Sequence, residues 1–78
     1  MENLKELDNK NWDFTLYEAG TKRIFTVTFY GLVDYPRSFY LNESEYTFNH
    51  SELIRLAEEI RNNYERFRDR ELIPAILI

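Results

Sequence analysis

Seventy-eight residues contain no cysteine, two glycines, two prolines and a single histidine. Without cysteine, neither a disulfide framework nor a cysteine zinc site can staple so small a domain. The two glycines, Gly20 and Gly31, stand alone, so no glycine-rich loop is available to cradle a phosphate. One histidine, His50, excludes any constellation that needs two, and its neighbour Ser51 does not become a nucleophile by adjacency alone. His50 is expected to face solvent in a first helical turn. No catalytic residue, metal site or cofactor is expected.

Long apolar runs are missing as well, and residues 1–11 alternate charge and polarity without the layout of a signal peptide. The expectation is a cytoplasmic protein with no membrane contact. Positive charge is in short supply: ten Lys and Arg stand against fourteen Asp and Glu, a formal net charge of −4. A general nucleic-acid binder needs a basic footprint over phosphates, so nucleic acid is not an expected partner.

Aromatic side chains are abundant, and eleven of the thirteen fall between Trp12 and Phe48. Over much of that stretch the pattern has period two, the signature of half-buried strands. Trp12, Phe14, Leu16, Phe25, Val27, Phe29, Phe39 and Leu41 form one inward set. Three strands are predicted, over about 11–18, 22–30 and 37–42. Ala19-Gly20 is placed at the tip of the first hairpin, which sets Tyr17 against Lys22, Thr15 against Ile24, Phe14 against Phe25 and Trp12 against Val27. The second connection should be an odd-numbered loop around Asp34, with Pro36 in that loop or on an unpaired edge. Residues 1–10 are read as a frayed lead-in.

Helix entry is the clearest local signal. Asn49 with Glu52 makes a capping box, and Phe48 with Leu53 a hydrophobic staple. Leu53, Leu56, Ala57, Ile60, Tyr64 and Phe67 recur at helical spacing and predict one long amphipathic helix over about 50–69. Arg55/Glu59 and Arg61/Glu65 are spaced as ion pairs on its solvent face. The fold class expected for the single domain, residues 1–78, is therefore α+β: a three-stranded antiparallel meander packed on one long C-terminal helix, followed by an apolar extended tail.

Two apolar groups find no place in that core. One is a second sheet face with Tyr17, Ile24, Tyr30 and Tyr40 among threonines. The other is the tail, Leu72-Ile73-Pro74-Ala75-Ile76-Leu77-Ile78. The tail could add an edge strand, fold over the second face, or dock on a neighbouring chain. Tyr17, Ile24, Tyr30, Tyr40, Leu72, Ile73, Ile76 and Leu77 are thus the candidate interaction surface. They point to a non-enzymatic protein-interaction domain that binds a protein partner or itself, as a homodimer. Two alternatives use other features: a small acidic inhibitor or immunity protein presenting Glu43, Glu45 and Glu52 to a basic partner, and a single-stranded nucleic-acid binder stacking bases on the tyrosines.

Overall fold

A computed structural model describes residues 4–76. Five antiparallel strands lie in sequence order: β1 (Leu4–Lys10), β2 (Phe14–Ala19), β3 (Lys22–Phe29), β4 (Tyr35–Tyr40) and β5 (Glu71–Leu72). A 3-10 turn at Glu43–Glu45 leads to helix α1 (His50–Asn62), then α2 (Tyr64–Phe67) and a second 3-10 turn at Arg68–Arg70. The expected α+β layout of three strands and one long helix is corrected on both counts.

The sheet gains its first strand from the residues read as a lead-in. Residues 4–10 have little strand character of their own; pairing with β2 supplies it, with Lys5 opposite Glu18 as an oppositely charged cross-strand pair. A register shift between Glu6 and Asp8 bulges this outer strand, and its charges and bulge suit an exposed edge. The last strand is only two residues long and is tied to β4 through Ser38↔Leu72 and Phe39↔Glu71.

The long helix breaks at Asn63, whose backbone (φ −135°, ψ 44°) is not helical. Asn63 instead donates its amide N–H to the Glu59 carbonyl at 2.9 Å and points its side-chain amide at the same oxygen. Asparagine competes for backbone groups in this way, so Asn62-Asn63 is a natural stop. After the break Phe67 is buried and Tyr64 sets its ring edge-on to Phe29 and Phe39, at 5.9 and 6.3 Å. The start follows expectation: the Asn49 side chain accepts from the Glu52 N–H, and the Glu52 carboxylate accepts from the Asn49 N–H.

The β2–β3 hairpin turns on Gly20-Thr21 rather than Ala19-Gly20, so Phe14 lies opposite Val27 and Leu16 opposite Phe25. Gly20 has φ 62°, as the first loop position of a type II′ turn requires. Because partners move by two residues, every side chain keeps its face. The inward set therefore holds, apart from Trp12: Phe14, Leu16, Phe25, Val27, Phe29, Phe39 and Leu41 pack with Leu53, Leu56, Ala57, Ile60 and Phe67 in one core. Each large side chain buried there contributes roughly 1.5–3 kcal/mol.

Candidate functional site

The chain's own tail lies against the middle of the second sheet face. Beyond β5 the backbone crosses the sheet, and the Ile76 N–H donates to Ser38 Oγ at 2.8 Å while the Thr26 hydroxyl donates to the Ile76 carbonyl at 3.0 Å. Ser38 and Thr26 also bond each other at 2.7 Å, so both hydroxyls in the middle of the face are satisfied. Tyr17 and Ile24 are each only 3 % exposed. Tyr40 is half-buried and carries Lys22 Nζ 5.0 Å from its ring centroid. What stays open is a shallow groove of about 240 Å³ lined by Leu4, Ala19, Lys22, Ile24, Tyr40, Leu72 and Ile76.

Of the residues expected to form one interaction surface, Tyr17, Ile24, Tyr40, Leu72 and Ile76 share this face, whereas Ile73 projects into solvent. Leu77 lies outside the described residues. Tyr30 does not join them. It has left the end of β3, and its hydroxyl donates to the Trp12 carbonyl at 2.6 Å. Three tyrosines do not line up as a platform for stacked bases.

Tyr30 leads instead to the opposite situation at one end of the sheet, where the β1–β2 turn meets the β3–β4 loop. Trp12 is 80 % exposed there and Leu32 fully so at 108 %, beside exposed Tyr30, Val33 and Tyr35. At this end lies a shallow cleft of about 170 Å³ lined by Trp12, Thr28, Asp34, Tyr35 and Pro36. Trp12 was expected in the core. It is excluded because Asn11, Trp12 and Asp13 form the connection itself, closed by the Asp13 N–H donating to the Lys10 carbonyl at 2.9 Å. Trp12 has φ 64°, a left-handed conformation that such turns ordinarily give to glycine or asparagine. For a bulky residue it costs of the order of 1–3 kcal/mol.

The turn is held in place from the helix side. Arg61 Nε donates to the Thr28 carbonyl at 2.6 Å, and Nη2 donates to the Asp13 carbonyl at 2.9 Å and to the buried Asp13 carboxylate. The Thr28 N–H donates to the same Asp13 carbonyl at 2.9 Å, and the Arg61 guanidinium lies 4.7 Å from the Tyr30 ring centroid. Arg61, expected to pair with Glu65 in solvent, is thus the bracket that joins α1 to the Trp12 turn. On the other flank Tyr35 stacks on Phe29 at 5.9 Å, and Arg37 sits 5.3 Å from the Tyr35 centroid.

Arg37 also ties β4 to β5 and α2. Its guanidinium donates to Glu71 at 2.8 Å and to the Tyr64 hydroxyl at 3.1 Å, and that hydroxyl donates to the other Glu71 oxygen. The hydrogen bond to Glu71, foremost among the causes, holds the Tyr64 phenol above its ordinary pKa of 10.0. The same carboxylate holds Arg37 above its ordinary value.

The acidic helix entrance is partly consumed by internal contacts. Glu45 accepts from the Asn42 N–H at 2.8 Å and pairs with Arg70 at 2.7 Å, while Glu52 caps α1. His50 lies on the surface with Nδ1 2.9 Å from Asp8 Oδ2, a contact that joins α1 to β1. Among the described residues no group of three metal-ligating side chains converges, and no helix is long and apolar enough to cross a membrane.

The sequence carried one usable signal for the turn-end surface: Trp12 lies next to Asn11-Asp13, a pair of turn-forming residues, and Leu32-Val33 lies between Gly31 and Asp34. The chain finds no match among protein-family models, curated proteins or solved structures.

Proposed function

We propose that the chain is a non-enzymatic protein-interaction domain whose contact surface is the turn end formed by Trp12, Tyr30, Leu32, Val33 and Tyr35. The observation that carries this reading is Trp12: a bulky ring in solvent on a left-handed backbone, anchored by Arg61 and Tyr30. Strain of that kind persists only where the surroundings enforce it, and it concentrates at functional sites. Burying the Trp12 ring against a partner offsets the strain, since a large aromatic at the centre of an interface contributes about 2 kcal/mol or more. Contiguous apolar surface rimmed by polar groups is the usual mark of such a site. Tyr30 and Tyr35 add amphipathic contact area with few rotatable bonds.

A benzophenone amino acid in place of Leu32 tests the reading, because that side chain is fully exposed. In extract of the producing cells, illumination should give a discrete adduct that disappears in a Trp12→Gly background. Labelling no stronger than from the same probe at exposed Asn62 would refute it.

A further inference from the structure

We infer that the occupant of the turn-end surface is a second copy of this chain, docked about a two-fold axis so that the Leu32-Val33 tip of each copy enters the cleft of the other. This rests on the reading of that surface as a protein contact and adds the identity of the partner. Three observations lead to it.

The first is shape. A protruding knob and a receiving cleft occur side by side on one surface. Leu32 is 108 % exposed at the loop tip, and the 170 Å³ cleft between Trp12, Tyr35 and Pro36 opens next to it. A surface that carries both a protruding tip and a depression can meet its own copy about a two-fold axis, as an isologous contact requires.

Charge is the second. The chain as a whole carries −4, yet the formal charges bordering this patch, counted with their ion-pair partners, are Lys10, Arg37 and Arg61 against Asp13, Asp34 and Glu71. They cancel. Two copies therefore meet here without like-charge repulsion, whereas a strongly basic or acidic partner would find no complementary rim.

The third is area. From the 150–250 Å² of a full aromatic side chain, the exposed fractions of Trp12, Tyr30 and Tyr35 amount to roughly 270–450 Å², and exposed Leu32 and Val33 add to it. The patch is thus a large part of the ~800 Å² that each partner of a standard stable interface buries. The sheet edges compete poorly as dimer contacts, since β1 is bulged and charged and Pro36 removes a donor from β4.

Sedimentation equilibrium of the intact chain tests the inference. Wild type should approach twice the chain mass at concentrations well below about 1 mM, the weak end of the affinity scale. Leu32→Asp should keep the circular dichroism of wild type, because Leu32 is fully exposed, and weaken association by about thirtyfold or more, as expected of an interface hot spot. Trp12→Gly should weaken it comparably. A wild-type chain that stays monomeric overturns the second-copy assignment, as does a dimer that survives Leu32→Asp unchanged. If the Leu32 probe then yields an adduct with a different protein, the surface remains an interaction site and only the partner assigned here is wrong. A monomer with no adduct removes both.

Discussion

The second face of the sheet and the turn end both carry large apolar side chains outside the main core, and they meet opposite fates. On the face, the chain folds its tail back and satisfies Thr26 and Ser38 with the Ile76 peptide, leaving Tyr17 and Ile24 buried. At the turn end an apolar group is pushed outward and braced from behind by Arg61. Local hydrophobicity does not separate the two regions. What differs is whether intramolecular hydrogen bonds serve to cover the apolar groups or to present them.

The sharpest way to break that contrast is to remove the brace. Arg61→Ala leaves the Thr28 carbonyl without this donor and the buried Asp13 carboxylate with only Lys10 at 3.5 Å, and stability should fall by about 2–3 kcal/mol in urea denaturation. A loss below about 1 kcal/mol, the level of a surface pair, would mean that Arg61 is no bracket. Cover on the other region is tested by Ser38→Ala. It strands the Ile76 N–H and a bond to Thr26 and should cost about 1–3 kcal/mol, with increased binding of a hydrophobic dye as the tail loosens. An unchanged melting curve and no added dye would show that the tail does not depend on this latch.

Trp12→Gly should go the other way. Relief of the left-handed strain is set against the greater freedom of glycine in the unfolded chain, so stability should stay within about 1 kcal/mol of wild type even though a tryptophan is lost. A large loss would assign Trp12 a structural role and weaken the case for presentation.

The smallest effect concerns the strut between the two regions, Arg37–Glu71–Tyr64. Tyr64 has a folded pKa above its ordinary 10.0, so the folded chain holds this proton more tightly than the unfolded one. Its contribution is fully present below pH 10 and is lost as pH rises through the folded value. Thermal melts followed across that alkaline window should decline more steeply for wild type than for Tyr64→Phe, and parallel curves would exclude the linkage.

Where a feature could be read from neighbours along the chain, reading it succeeded. Asn49, Glu52 and the stripe from Leu53 to Ile60 specify a capped helix because the partners lie within one or two turns. Alternation in β2 and β3 assigned nearly every inward residue, and the two-residue error in the hairpin tip left the faces intact. Misreadings cluster where remote residues decide the outcome. Strand β1 exists because β2 offers it an edge, and Trp12 continues the alternation on paper but falls in the turn which that added strand creates. The helix stripe runs through Asn63 to Tyr64 and Phe67, which do reach the core, though by a break instead of a continuous helix.

The sequence by itself determined the inner half of this protein: which strand residues face the core, where helix α1 begins, and that apolar surface would be left over. Short-range periodicity and capping chemistry are enough for that, because the groups involved are close along the chain. Only the tertiary structure decided which leftover surface was covered and which was presented. Those outcomes depend on Ile76 reaching Ser38 and Arg61 reaching Asp13, contacts between residues 38 and 48 positions apart. No local pattern encodes them, since each becomes favourable only after the sheet and helix have fixed where its partner stands.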